Sequence, residues 1–102
     1  MKSNLFTNGN SWHLYIGKDI AKLLGISREK RIVKLDIENQ ILRVEHINED
    51  INDAFCKKLI LRSSGFGLSL TKPILGLLEI NPETDMVDCR INGRILYIKK
   101  AE

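Results

Sequence analysis

An internal repeat, whose two copies are offset by 54 residues, constrains this 102-residue chain more than any other feature. A gapless shift of 54 positions aligns residues 5–44 with residues 59–98, and 12 of the 40 pairs are identical. Composition alone would give roughly three or four identities. The chain is therefore a duplicated unit whose fold must use one series of elements twice. The identical pairs are Leu5/Leu59, Leu14/Leu68, Lys18/Lys72, Ile20/Ile74, Leu23/Leu77, Leu24/Leu78, Ile26/Ile80, Glu29/Glu83, Val33/Val87, Ile37/Ile91, Ile41/Ile95 and Leu42/Leu96.

Each repeat has the pattern of a strand, a turn, a second strand, a short helix and a hairpin. In the first repeat, apolar and polar residues alternate in "WHLYI" at 12–16, which predicts a strand with one apolar face. The preceding "NGNS" at 8–11 is a hairpin-turn signal. In "KDIAKLLG" at 18–25, apolar residues at i, i+3 and i+4 predict a two-turn helix, and Gly25 fits its left-handed end.

The second repeat carries its own turn and capping signals. Thr71 is a natural helix N-cap, and Pro73 falls in the first helical turn, where its missing N–H is tolerated. Asn92-Gly93 predicts a type I′ hairpin turn. A tight turn is expected at the equivalent Glu38-Asn39 of the first repeat.

The length predicts one domain over residues 1–102. Repeat one would cover about residues 4–46, an acidic linker about 47–55, and repeat two about 56–100. A unit of about 40 residues is near the limit below which extra stabilisation is usually needed. We therefore expect the two β-β-α-β-β repeats to interleave, share one core and pair each other's strand edges in a mostly β fold with short helices.

Charge is segregated along the chain, although the net charge is only +3. Residues 1–28 hold four basic residues and one acid, and residues 56–72 hold four basic residues and none. Residues 45–54 hold four acids and no Lys or Arg. Such segregation suggests a basic surface with a polyanionic partner, and an ordinary solvated surface is the alternative.

The ordered motifs resemble the AbrB/MazE/SpoVT swapped-hairpin family of bacterial and archaeal DNA-binding domains. The likeness rests on "GNSWHLYIGKDIAKLLGI" at 9–26, "VKLDIENQILRV" at 33–44 and "LSLTKPILGLLEINPETDMV" at 68–87. "GNS" is similar to the MazE branch in particular, and Arg62 falls where that branch carries a basic residue before the turn. The usual Ile-Pro pair of the family is Ile16-Gly17 here and Leu70-Thr71 in the second copy.

The resemblance implies a swapped-hairpin, AbrB-like β-barrel formed as an intrachain pseudo-dimer. It also implies a transcriptional regulator that binds double-stranded DNA, as a monomeric pseudo-dimer or a homodimer. The alternative is an antitoxin-like protein-interaction module that binds a toxin or another protein partner.

Other features exclude several classes of protein. No apolar run approaches the roughly 20 residues of a membrane span, and "MKSNLFTNGN" lacks a secretory apolar stretch. Two cysteines outside any C-x-x-C pair fit a cytoplasmic protein with reduced thiols. These observations favour a cytoplasmic protein without a membrane partner.

No constellation predicts an enzyme. The S-x-x-K pattern at 69–72 resembles the nucleophile signature of penicillin-binding enzymes, but this chain is too short for such an enzyme. The pattern is better explained as the end of a strand followed by a helix cap. "GFG" at 65–67 lacks the third glycine of a dinucleotide fingerprint. We expect no cofactor and no metal, and Cys89 as a buried thiol. The spacing of the residues that could ligate a metal ion does not match a metal-binding motif; these residues are His13, His46, Cys56 and Cys89.

The candidate contacts are basic and polar residues around the turns and helix starts. Lys and Arg supply charge to phosphate oxygens, and Asn and Ser supply directional hydrogen bonds. For the equivalent Trp12 and Phe66, core or inter-repeat packing is favoured over base stacking. The DNA-binding candidates are Asn8, Asn10, Ser11, His13, Lys18, Lys22, Lys58, Arg62, Ser63, Ser64 and Lys72.

Overall fold

A computed structural model describes residues 1–47 and 55–102, so most of the predicted acidic linker lies outside the described residues. The described chain is mostly β with two short helices, as expected from the sequence. In chain order the elements are β1 Lys2–Asn4, β2 Phe6–Asn8, β3 Ser11–Gly17, α1 Lys18–Leu24, β4 Ile32–Glu38, β5 Ile41–His46, β6 Cys56–Lys58, β7 Ile60–Arg62, β8 Gly65–Leu70, α2 Lys72–Leu77, β9 Met86–Asn92 and β10 Ile95–Lys100.

The elements of the second half begin 54 residues after their counterparts in the first half. Each half also has a short leading strand, β1 or β6, that the β-β-α-β-β prediction lacked. These strands are three residues long and polar ("KSN" and "CKK"), so they show no apolar alternation by which to recognise them. One buried leucine, Leu5 or Leu59, separates each from the next strand.

The strands form two antiparallel sheets that both halves build together. The six-stranded sheet has the order β1-β9-β10-β5-β4-β6, and the four-stranded sheet has the order β2-β3-β8-β7. The leading strand of each half pairs with the hairpin of the other half, β1 with β9 and β6 with β4. Among the described strands these pairings make two sheets and no closed ring, so the barrel stays a prediction.

A pseudo-twofold axis runs through the centre of both sheets. In the six-stranded sheet Arg43 lies opposite its own counterpart, Tyr97, and the guanidinium carbon lies 5.9 Å from the centroid of that ring. In the four-stranded sheet Leu14 lies opposite its counterpart, Leu68. The axis therefore passes between residues that occupy the same position in the two repeats.

Apolar residues of both halves form one core between the sheets. Leu14 and Leu68 are 1% and 0% exposed, which places the twofold axis in the most buried part of the molecule. Phe66 is buried and Trp12 packs partly buried against the same cluster, which confirms the core interpretation of this pair. The predicted burial of Cys89 is also confirmed, and burial raises the pKa of its thiol to about 11.

The helix ends follow the local sequence in one repeat and depart from it in the other. Gly25 ends α1 in the predicted left-handed conformation, at φ 81°. The equivalent Glu79 takes the same region at φ 57°, where a side chain is disfavoured. Thr71 occupies the N-cap position of α2 with Pro73 in the first turn, but the Thr71 side chain makes no capping hydrogen bond.

The hairpin turns begin one residue later than predicted, because Glu38 and Asn92 still belong to their strands. The first turn is Asn39-Gln40, and both residues have the positive φ of a type I′ turn, 53° and 63°. In the second turn Gly93 has φ 66° whereas Arg94 is not among the positive-φ residues. The type I′ prediction is therefore wrong for the second hairpin.

Neither α1 nor α2 has the length or apolar character needed to cross a bilayer, and no other helix occurs in the described residues.

Candidate nucleic-acid interface

The outer face of the four-stranded sheet collects four of the predicted contact residues. Strand alternation turns Leu14 and Ile16 into the core, so the side chains between and beside them point outward. Residues paired across antiparallel strands share a face. The pairs that share the outward face are Asn8 with Ser11, Phe6 with His13, and Arg62 with Gly65.

The antiparallel register of β3 and β8 joins the turn of each repeat to the helix of the other. Gly17 pairs with Gly65, so the Ser63-Ser64 turn lies beside the start of α1 at Lys18. At the other end of these strands, Trp12 pairs with Leu70, so the Gly9-Asn10 turn lies beside the start of α2. Each cluster of candidate residues is therefore composite and needs both repeats.

We call one cluster the Lys18 end; it comprises Lys18, Lys22, Ser27, Arg28, Arg62, Ser63 and Ser64. Three of its cations, Lys18, Arg28 and Arg62, line one open groove of about 220 Å³. They come from α1, the loop after α1 and β7. Such convergence of cations from separate segments creates a positive potential that attracts phosphate. Lys22 follows Lys18 by four residues on the same exposed helix face.

The Ser63-Ser64 turn at this end is held by Tyr15. The Tyr15 hydroxyl donates a hydrogen bond of 2.6 Å to the Ser64 carbonyl oxygen and lies 2.8 Å from Ser64 Oγ. Gly65 makes this approach possible, because its missing side chain leaves room for the Tyr15 ring. The turn is consequently fixed relative to the middle of the sheet.

Arg62 lies over the Phe6 ring, with its guanidinium carbon 4.5 Å from the ring centroid. The other neighbour of that ring is His13, at a centroid separation of 5.5 Å and an interplanar angle of 24°. A cation over an aromatic face is attracted by the ring quadrupole. Phe6 thus restrains the orientation of Arg62 before any ligand arrives.

His13 belongs to this packed layer rather than to the accessible surface. It is only 5% exposed, so its imidazole offers little surface to a phosphate. Burial lowers the pKa of His13 below its ordinary value, and the charges of Arg62 and Lys57 lower it further. Burial likewise lowers the pKa of Lys57, whose Nζ donates to the Ser69 carbonyl oxygen at 3.5 Å.

The lowered pKa of His13 predicts a pH dependence of stability. In the unfolded chain the imidazole titrates near 6.5, so on acidification it takes up a proton before the folded state does. We expect the free energy of unfolding to fall as the pH drops through 6.5 toward the lower folded-state pKa.

Urea unfolding of the wild type and His13→Gln, compared from about pH 8 to pH 5, measures this effect. The stability difference between the two proteins should shrink, or move in favour of the variant, as the pH falls. A stability difference between the two proteins that does not change with pH would contradict the lowered pKa of His13.

The remaining candidates lie apart from the Lys18 end. Lys58 pairs with Ile32, which alternates with the core residue Val33, so Lys58 is on the outer face of the six-stranded sheet. The structure therefore does not bring Lys58 together with Arg62. The second cluster, which we call the Lys72 end, comprises Asn8, Asn10, Ser11 and Lys72. All four of its residues are exposed.

Four contributors to the Lys18 end escaped the prediction. Arg28 and Ser27 follow α1 in the charged run "SREK", and that run was the available signal for Arg28. Phe6 and Tyr15 carry no such signal, because their role depends on contacts with Arg62 and Ser64, more than 45 residues away.

No protein-family model, curated protein or solved structure matches this chain.

Proposed function

We propose that this chain is a sequence-specific DNA-binding transcriptional regulator built as an intrachain, AbrB-like swapped-hairpin pseudo-dimer. It acts in the cytoplasm as a binding protein rather than an enzyme and requires no cofactor. The outer face of the four-stranded sheet meets the duplex, and Lys18 and Lys72 reach phosphates at its two ends.

The observation that carries this proposal is the convergence of Lys18, Arg28 and Arg62 on one groove beside a rigid turn. Phosphate contacts supply most of the affinity of DNA-binding proteins and fix their register on the duplex. Outward-facing Asn8 is a residue type that hydrogen-bonds base edges in the major groove.

The architecture fits the pseudo-dimer in two respects. The leading strand of each half pairs with the hairpin of the other half, so the two halves interleave and complete each other's strand edges. The two halves also share one core across the pseudo-twofold axis. A two-part surface of this symmetry suits an imperfectly palindromic site, since protein symmetry is mirrored in the operator.

The dimensions suit a duplex. At about 3.3 Å per residue, the seven-residue β3 separates the two ends by roughly 20 Å. One turn of B-DNA is about 34 Å long, so both ends fit within a single turn on one face.

The proposal predicts strongly salt-dependent binding. With roughly four to six phosphates neutralised, the log–log slope of the association constant against salt should be about −4 to −5. Fluorescence anisotropy with a labelled duplex, between about 50 and 200 mM salt, measures it.

Lys34→Ala is the matched control, because Lys34 is exposed on the outer face of the six-stranded sheet, away from the proposed interface. It should leave the slope unchanged. Affinity that does not respond to salt over this range would refute DNA binding through this surface.

A protein-interaction module is the second candidate, and the exposed leucines of the helices favour it. Leu23 and Leu77 occupy equivalent positions and are 60% and 61% exposed. Leu77 also lines an apolar groove of about 530 Å³ with Ile37, Pro73 and Ile74. Exposed apolar surface of this kind can serve as a docking site. Co-purification with a stoichiometric small protein, together with salt-independent DNA affinity, would favour this function.

A further inference from the structure

The two ends of the proposed interface differ in charge although the repeat makes them equivalent in position. The 54-residue shift pairs Lys18 with Lys72, but the other three cations of the Lys18 end have uncharged counterparts. The counterparts of Lys22, Arg28 and Arg62 are Gly76, Pro82 and Asn8. The Lys18 end therefore has four cations, whereas the same positions of the Lys72 end hold one.

The loops that follow the helices increase this difference. Beyond Arg28, residues 29–31 read "EKR", with two cations and one acid, and the equivalent residues 83–85 read "ETD", with two acids and no cation. Asp85 is partly neutralised by Lys100, whose Nζ lies 3.7 Å from the carboxylate. Glu83 and its counterpart Glu29 are both exposed acids, so the difference between the two loops comes from Lys30 and Arg31, whose counterparts are Thr84 and Asp85.

The two ends also differ in how firmly their contact residues are held. Phe6 supports Arg62, and Tyr15 fixes the turn beside Lys18. The counterparts of Phe6 and Tyr15 are Ile60 and Ser69, which offer neither an aromatic face nor a phenol hydroxyl. Residues ordered before binding lose less conformational entropy when they bind. The Lys18 end therefore has more charge and better preorganisation than the Lys72 end.

We propose that the pseudo-dimer binds DNA asymmetrically: the Lys18 end supplies most of the affinity, and the Lys72 end makes a weaker contact. This inference rests on the proposed DNA-binding function. It implies a single preferred orientation on an imperfect palindrome, with one half-site tightly defined and the other degenerate. Each phosphate contact contributes about −0.9 to the salt slope, so four cations at the Lys18 end account for about −3.6 of it.

The repeat supplies a matched pair of variants to test whether the two ends contribute unequally. Lys18→Ala and Lys72→Ala remove the same exposed side chain from the same helix position. We expect Lys18→Ala to weaken binding about tenfold, because Arg28 and Arg62 hold the phosphate within its reach, and Lys72→Ala to weaken it by less than about twofold. Anisotropy on one labelled duplex at one salt concentration compares them, and circular dichroism checks that both variants are folded.

An exchange of residues between the ends adds a second measurement. Arg62→Asn gives the Lys18 end the residue found at Asn8 and should weaken binding about tenfold, whereas Asn8→Arg should strengthen it severalfold. Duplexes selected from a random pool by the wild type should share one conserved and one degenerate half-site. Equal losses of duplex affinity for Lys18→Ala and Lys72→Ala, or two equally conserved half-sites, would refute the asymmetric binding but not the DNA-binding function. No binding by the wild type to any duplex would refute the proposed function, and the inference with it.

Discussion

Leu68→Ala is expected to lower the free energy of unfolding by about 3–5 kcal/mol. Leu68 is fully buried, lies on β8 opposite Leu14, and belongs to the core to which both repeats contribute. Truncation removes buried methyl groups and leaves a cavity, and the surrounding strands relax into it only partly. For a small domain with a total stability of about 5–15 kcal/mol, this is a large fraction.

The repeat provides the controls for this prediction. Leu14→Ala removes the twofold-related side chain and should cost a similar amount, because both leucines border the axis. Leu23→Ala deletes a 60% exposed leucine and should change stability by less than about 0.5 kcal/mol. Urea denaturation monitored by circular dichroism measures all three. A cost below about 1.5 kcal/mol for Leu68→Ala would mean that the repeats do not pack tightly at the axis.

Much of the secondary structure could be predicted because its signals are local. Alternation in residues 12–16 marks β3, and the i, i+3, i+4 stripe followed by Gly25 marks α1. The 54-residue identity pattern extends these assignments to the second half. Each of these signals depends on residues a few positions apart, where periodicity and backbone sterics decide the conformation.

The leading strands could not be predicted for the same physical reason. β1 and β6 are too short and polar to show a period, and they form because β9 and β4 offer them unpaired edges. The partner of β1 lies more than 80 residues away in the sequence. A strand stabilised mainly by such a distant edge carries little information in its own residues.

The candidate interface was predictable in composition but not in grouping. Clustered charges identified Lys18 and Arg62 as surface cations, yet only the register of β3 against β8 brings the turn of one repeat to the helix of the other. Two individual assignments changed for this reason. His13 is buried beside Phe6, and Lys58 lies on the other sheet. His13 lies on the outer face but is covered by the neighbouring Phe6 ring, and Lys58 belongs to a strand that pairs with β4, so both outcomes depend on strand pairing and not on local sequence.

Gly65→Ala is expected to destabilise the fold by about 2–4 kcal/mol. A β-carbon at Gly65 would overlap with the Ile16 carbonyl oxygen and would lie 2.9 Å from the Tyr15 hydroxyl oxygen. The Ile16 oxygen belongs to β3 and cannot move without disturbing the ladder to β8. Displacement of Tyr15 would also break its hydrogen bond to the Ser64 carbonyl, so the turn beside Arg62 should loosen.

Gly76→Ala is the matched control, and its effect should have the opposite sign. Gly76 lies within α2, and a β-carbon there would meet nothing within 4 Å. Alanine is favoured over glycine in a helix interior by about 0.5–1 kcal/mol, so this variant should be slightly more stable than the wild type. Urea denaturation measures both, and anisotropy under conditions where Gly65→Ala remains folded should give weaker duplex binding for it alone. Because the variants differ only in where one methyl group is added, equal effects would show that β3 and β8 do not approach closely at Gly65.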